Sequence, residues 1–488
     1  MIQKREFCRT PISILHISDL HKDANDNYDN LINSLKNDCE KYIRDGNIKK
    51  PDIVVVCGDL IKGGSIDDIK KQYAESGIFL TNIVDYFLEG NKERIIIVPG
   101  NHDIDWNASR SSMEKIEITD NIDSVLYDFH SGSSELRWSW SDLCFYKIID
   151  QNVYNERLML FVDFYNSFFN GVKVFSIEPD EQYQLYDFPE FNIAFIGFNS
   201  CFKNDHLNYA GKINPTCITR ASEELKSLSE KGRLLIGVWH HNTSGQPFEN
   251  NYLDNRILKA MIDRNIKIGL HGHQHICGVI NEFKNVFEDK KIVLFSAGTL
   301  YGYKESLPYG SNRQYNIIEI NSLAEEMYYE ITIHSREDVD KSMFDIPTWD
   351  KGRIDKTSDS SWKTLINKPK KPNITVILSN IMVDAERNGD FRSAVMNLIQ
   401  LDLNDIMVRK VLCDYLERID DDLLICDLLI EPKNNAEAIL LMNSAIEINN
   451  RTVMKNIIQI PLIASSNDAA IKKLREQLTY QLKNHGTN

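Results

Sequence analysis

IIIVPGNHD, residues 95–103, is a run of four β-branched residues that stops at a Pro-Gly turn and delivers Asn101, His102 and Asp103. A short apolar run without period-two alternation reads as a strand covered on both faces. The same arrangement recurs along the chain. ISILHIS (12–18) leads into Asp19 and His21, and IVVVC (53–57) leads into Gly58 and Asp59. LLIGVW (234–239) is followed by His240 and His241, and IKIGL by His271, His273 and His275. IAFIGF (193–198), IVLFSA (292–297), YNIIEI (315–320) and MYYEITIH (327–334) read as further strands. Between them, 28–45, 66–89 and 218–231 carry helical spacing. The alternation predicts an α/β fold with layered sheets. In open α/β sheets, ligands sit beyond the carboxyl ends of the strands. Five strand ends therefore bring Asp, His and Asn to one edge.

The rest of the chain divides around that pattern. Residues 1–343 read as one domain. It is interrupted over about 104–190 by a stretch rich in aromatics, among them Trp106, Trp138, Trp140, Phe161 and Tyr165. That stretch reads as an inserted helical subdomain filling its own core, or as a cap whose exposed rings stack on a substrate. Residues 344–373 are poor in aliphatics and rich in Lys, Ser, Asp and Pro, which predicts a linker. Residues 374–488 repeat apolar positions at helical spacing and predict an all-α domain. It reads either as a bundle packed on the first domain or as a docking surface for a protein partner or a second copy.

Composition excludes several classes. Of 488 residues, 42% are hydrophobic and 26% charged, which is ordinary for a globular chain and wrong for a disordered one. No apolar stretch reaches the roughly 18 residues of a membrane span, so no membrane partner is expected. The N-terminus shows no apolar core followed by a cleavage site, so no secretory signal is expected. A net charge of −15 argues against general duplex binding, while a local nucleic-acid groove stays open. Nine scattered cysteines without a CxxC pair predict free thiols and a cytoplasmic location.

The donor types at the strand ends suit divalent metals. Carboxylate and imidazole together favour manganese, iron, zinc, cobalt or nickel, with manganese our first choice. The absence of thiolates argues against a closed structural zinc site. Two cations about 3.5–4 Å apart can clamp a phosphoester and acidify a water. Asp59 is the candidate carboxylate to hold them together.

The ordered set SDLH, CGDL, PGNHD, VWHH and GHQH resembles the calcineurin-like metallophosphoesterase superfamily, over about residues 11–335. The resemblance implies a β-sandwich flanked by helices on both sides and a phosphoester substrate. It implies two divalent metal ions, one held by Asp19, His21, Asp59 and His275, the other by Asp59, Asn101, His240 and His273. His102 would then act on the leaving oxygen, with Asp103 orienting its ring, and a metal-bound hydroxide would attack phosphorus. Protein phosphatases of the superfamily carry an Arg in the second block and GNHE in the third. GDLIKGG and GNHD depart from both and look more like the phosphodiesterase and nuclease branches, so the expected substrate is a phosphodiester or phosphomonoester: a nucleotide, a cyclic nucleotide or a nucleic acid end. The alternative is a catalytic subunit recruited by its helical tail into a larger complex, such as a repair nuclease or a bacterial defence system.

Neighbouring residues have plainer readings. His241 is expected to face away from the ligands, and His271 and His16 to be structural. Cys57 and Cys277 read as buried apolar groups. His130, His206, His334 and His485 belong to no motif and are expected at the surface. Glycines 58, 100, 272 and 298 are expected at tight turns or close approaches.

Overall fold

The computed structural model describes residues 11–484, apart from 23–27, 46–47, 118–121, 131–134, 245–250, 286–289, 303–306, 323–326, 341–345, 356, 370–373 and 400. Two compact units divide it, 1–370 and 371–488.

Among the described residues, the first unit holds sixteen strands. They are β1 (Ile12–Ile17), β2 (Ile53–Cys57), β3 (Ile95–Val98), β4 (Met113–Ile116), β5 (Leu136–Ser139), β6 (Cys144–Ile148), β7 (Tyr183–Phe188) and β8 (Ile193–Phe198). There follow β9 (Leu234–Val238), β10 (Ile266–His271), β11 (Gly278–Asn285), β12 (Lys290–Ser296), β13 (Gln314–Ser322), β14 (Tyr328–Asp338), β15 (Trp349–Lys351) and β16 (Ser361–Asn367). One sheet runs β15-β14-β13-β1-β2-β3, with β16 also on β14, and the second runs β11-β12-β10-β9-β8-β7. β1, β2 and β3 are parallel, as are β8, β9, β10 and β12.

The residues that make these strands explain the layering. On β1 and β2, Ile14, Ile53 and Val55 point into the space between the sheets. They meet Phe195, Ile236, Leu270 and Phe295 of the second sheet there. The intervening Leu15, Ile17, Val54 and Val56 point outward, against helices Asp29–Arg44, Ile66–Leu88 and Met159–Phe168. Both faces are apolar, so these strands show no alternation. Each such side chain contributes about 1.5–3 kcal/mol by leaving water. The second sheet is covered likewise by Pro215–Arg220, Ser222–Glu230 and Asn255–Asp263, through Leu225, Leu258 and Met261. The result is the expected β-sandwich with helices on both outer faces.

Two boundaries move. The expected linker 344–373 holds β15 and β16, both paired to β14. Trp349 is buried, its ring 5.0 Å from Tyr315, and it donates to Ser34 Oγ at 2.9 Å. β16 lies on the edge with mostly half-buried or exposed residues, so its sequence SWKTLIN stays polar and conceals a strand. The expected insert 104–190 is also shorter. A small β4-β6-β5 sheet forms its centre. Phe161, Phe164, Tyr165, Phe168 and Phe175, however, belong to the main core, and β7 is an edge strand of the second sheet. These aromatics face helix Ile66–Leu88, so they hold the scaffold together rather than capping it.

Among the described residues of 371–488, every regular element is a helix, from Ile374–Asn388 to Ala469–Asn484. They have their own core, with Val395, Leu412, Tyr415, Leu441 and Met454 buried.

Candidate metal centre

The parallel strands end together, and the turns after them are held edge to edge. The backbone N–H of Asp19 donates to Gly58 O at 3.1 Å, and that of His21 to Asp59 O at 3.0 Å. Gly272 N–H donates to His240 O at 3.0 Å. Gly100 is required at this approach, because a Cβ there would lie 2.2 Å from Asp59 Oδ1. Asp19, His21, Asp59, His273 and His275 all take positive φ, between 45° and 75°. That region is sparsely used outside glycine, and such strain gathers at functional sites. It turns these side chains inward from the sheet edge.

Each carboxylate then divides its two oxygens. Asp19 Oδ2 accepts the N–H of His273 at 3.0 Å, and Asp59 Oδ1 accepts the N–H of His102 at 2.8 Å. The other oxygens face the imidazoles. Asp19 Oδ1 lies 3.2 Å from His275 Nε2 and 3.6 Å from His21 Nε2, which are 3.1 Å apart. Asp59 Oδ2 lies 3.8 Å from His21 Nε2 and 3.3 Å from His240 Nε2. Beyond it, Asn101 Oδ1 is 3.0 Å from both His240 Nε2 and His273 Nδ1, themselves 3.2 Å apart. All seven residues expected as ligands are thus together, in two groups that meet at Asp59.

The cluster suits cations on its own chemistry. His240 Nδ1 lies 2.6 Å from Cys57 O and donates to it, so its Nε2 faces the site. Nε2 is thereby aimed at Asp59 Oδ2 and Asn101 Oδ1. Asp19 Oδ1 is buried without a hydrogen-bond partner. Asp19, His21 and His275 can hold a metal ion, as can Asp19, Asp59 and His240.

Electrostatics agree. Burial pushes Asp59 up, but the imidazoles of His240 and His102 outweigh it and keep the carboxyl below its usual range. Burial pulls His240 down, but Asp59 outweighs it and raises the imidazole to about 9. Burial, with His240 alongside, pushes His273 down to about 3. The metal-free cluster therefore carries a proton on His240 at neutral pH, and an incoming cation must expel it. We expect metal uptake at pH 7–8 to release about one proton, and affinity to fall about tenfold per pH unit below 9. Calorimetry in buffers of different ionisation enthalpy reads this directly. An uptake heat independent of buffer would contradict it.

The neighbours of the ligands resolve as follows. His102 is half-buried and its ring centroid is 4.7 Å from that of His21. Asp103 does not orient it. His102 Nδ1 lies 3.0 Å from the carbonyl of Lys62 instead. Asp103 turns into the core, where its Oδ2 accepts Gly100 N–H at 2.8 Å and its Oδ1 accepts the Tyr73 hydroxyl at 3.2 Å. Burial, with Asp59 nearby, pushes it up to about 7. His241 is buried, with Nδ1 2.8 Å from Ser200 Oγ and its ring 4.7 Å from His273, so it packs beside an expected ligand rather than facing away. Ser200 Oγ also accepts the N–H groups of His240 and His241, each at 3.1 Å. His271 stacks on Trp239, and His16 lies 3.3 Å from Cys57 Sγ, so both are structural. Cys57 and Cys277 are buried.

His206 and His334 are not solvent-facing. Both are half-buried, His206 against Ser109 Oγ at 2.5 Å and His334 against Glu319 at 3.0 Å. His485 and the side chain of His130 lie outside the described residues. Reading the motifs missed Lys62, whose contribution is a main-chain carbonyl and leaves no mark on residue type.

The sequence model of the calcineurin-like phosphoesterase family matches residues 12–277, more than half of the chain. The chain belongs to that family. This phosphoesterase is accordingly a hydrolase of phosphoesters, and its family works with a pair of metal ions. Three solved structures are similar to it. A dimetal phosphatase from Danio rerio shares 11% identity, covers 67% of this chain and 96% of its own, and gives a TM-score of 0.35. A purple acid phosphatase from yellow lupin (Lupinus luteus) seeds shares 12%, with coverage of 67% and 52% and a TM-score of 0.38. A calcineurin-like phosphoesterase from Bacillus subtilis shares 13%, with coverage of 76% and 97% and a TM-score of 0.26. At such scores the likeness assigns nothing further to the phosphoesterase. No curated protein matches its sequence significantly. No described helix is long and apolar enough to cross a membrane.

Proposed function

We propose that the phosphoesterase hydrolyses a phosphodiester of nucleotide type at a dinuclear centre. Asp19, His21, Asp59 and His275 would hold one divalent cation, and Asp59, Asn101, His240 and His273 the other. The observation that carries this is the placement of Asp59 Oδ2, 3.8 Å from His21 Nε2 in one group and 3.3 Å from His240 Nε2 in the other. Manganese is our first choice, because the donors mix imidazole with carboxylate. The bound pair would supply Lewis acidity to the phosphoryl oxygens and an acidified water.

The chain's own residues do the rest. Lys62 O takes the Nδ1–H of His102 and so aims the Nε2–H edge of the ring at the leaving oxygen. In hydrolysis, the oxygen of the acidified water, one of its protons passing to solvent, would bond to phosphorus as the bond to the alcohol oxygen breaks, and His102 Nε2–H would give that alcohol oxygen a proton that solvent later restores. Asp103 secures the Gly100 turn, and Ser200 and His241 hold His240 and His273 in place. We further take the domains as a catalytic unit through residue 370 and a helical unit from 371, the latter offered to a protein partner or a second copy. A cytoplasmic location fits the free cysteines.

The test is a comparison of leaving groups. His102→Gln should slow an alkyl diester by about a hundredfold, the usual worth of a positioned acid. It should slow a p-nitrophenyl diester far less, since p-nitrophenolate leaves without a proton. Equal losses on both would remove His102 from that role. No hydrolysis of any ester by the manganese-loaded wild type would remove the function.

A further inference from the structure

His102 begins a row of rings leading away from the metal ligands. Its centroid lies 6.2 Å from that of Trp106, and Trp106 lies 5.9 Å from Tyr209. The first pair is tilted by 32° and the second by 51°. Trp106 is the first residue of helix Trp106–Ser111, three positions beyond the PGNHD turn, and Asp105 caps that helix through Asn107 N–H at 2.8 Å. Asn107 Nδ2 donates to Gly64 O at 3.2 Å, which ties the helix to the loop that follows Asp59. Tyr209 comes from the segment after β8. Its hydroxyl donates to His206 O at 3.1 Å, and the adjoining Gly211 lies against His241, the residue that packs beside His273. Tyr209 is 45% exposed, and Trp106, though packed in part against the main core, is only half-buried, so each ring keeps some surface open beside His102.

The order of this row has a chemical meaning. His102 faces the leaving oxygen, so whatever that oxygen belongs to lies on the side of Trp106 and Tyr209. Two anchored rings offer a planar apolar face there, suited to stacking rather than to a charged or aliphatic group. A nucleoside places its base one sugar away from its ester oxygen, which is the step from His102 to the next ring. The overall charge of −15 speaks against a long polyanion and for a small ester.

We propose that Trp106 and Tyr209 form the leaving-group subsite and that the departing alcohol is a nucleoside whose base stacks on Trp106. The substrate is then a small nucleotide diester. This rests on the hydrolytic reading of the metal centre, and binding tests it separately from turnover.

The first measurement is the affinity of the manganese-loaded full chain for adenosine 5′-monophosphate and for ribose 5-phosphate, by calorimetry. The wild type should favour the nucleotide by about tenfold or more, the worth of one base stacked on an aromatic ring. Trp106→Ala should abolish that preference, and Trp106→Phe should keep most of it. Equal affinities in the wild type, or a preference surviving in Trp106→Ala, would overturn the subsite. The second measurement compares hydrolysis of adenylyl-adenosine with that of the methyl ester of ribose 5-phosphate, which has no base to stack. In Trp106→Ala the ratio of their kcat/KM should fall about tenfold, through KM. An unchanged ratio would place the base elsewhere. Base-selective binding without hydrolysis of either ester would spare the subsite and refute the hydrolytic reading.

Discussion

Asp59→Asn lowers ester hydrolysis by about a thousandfold or more, equivalent to ~4 kcal/mol of transition-state stabilisation, and leaves the dialysed protein with less than its full pair of metals. The reasoning starts from one atom. Asp59 Oδ2 is the oxygen that faces His21 in one group and His240 in the other. Asparagine keeps the size of the side chain and can still accept the His102 N–H that now binds Oδ1 at 2.8 Å. What it removes is the charge. Its free end then presents an amide NH2 to atoms that are themselves set for cations. If Asp59 is shared as proposed, two cations would lose the anion between them, and at least one should be released. Metal analysis and a rate on a diester check both halves. A variant that retained both metals and the wild-type rate would refute the shared-carboxylate arrangement.

Asp38→Ala destabilises the first unit by about 3–5 kcal/mol, seen as a lower urea midpoint at pH 7. Asp38 and Arg336 are both buried. Arg336 Nε donates to Asp38 Oδ2 at 2.8 Å, its Nη2 donates to Oδ1, and the Tyr315 hydroxyl donates to Oδ2. Removing the carboxylate leaves a guanidinium in the core with no counter-charge among these contacts. The expense lies in the orphaned charge and not in the lost attraction, so Asp38→Ala with Arg336→Met should recover much of the stability. An unchanged midpoint in Asp38→Ala would show that Arg336 reaches water. A double variant as weak as the single one would show that packing, rather than charge, is at stake.

The strand set and its donors were legible because they rest on residue type and short spacing. IIIV, IVVVC and IAFIGF coincide with β3, β2 and β8, since strands buried on both faces must be apolar throughout. The ligands follow because each motif sits where its strand ends. Orientation was not legible. Asp103 adjoins His102 in sequence, yet the tight turn at Asn101–Asp103 sends the two side chains apart, and a carbonyl from Lys62 takes the expected role. Edge strands escaped for a different reason. β16 exposes most of its length, so its residues are chosen by water as much as by the sheet, and polarity there imitated a linker. Exposure was misjudged where a histidine outside any motif found a specific partner, as His206 does with Ser109.

The left-handed backbone at Asp19, His21, Asp59, His273 and His275 has a consequence for how this sequence can drift. β-branched and bulky residues fit that conformation poorly, and glycine, which fits it best, brings no donor atom. These five positions therefore admit little beyond Asp, Asn and His, the residues that tolerate that backbone and also carry a donor atom.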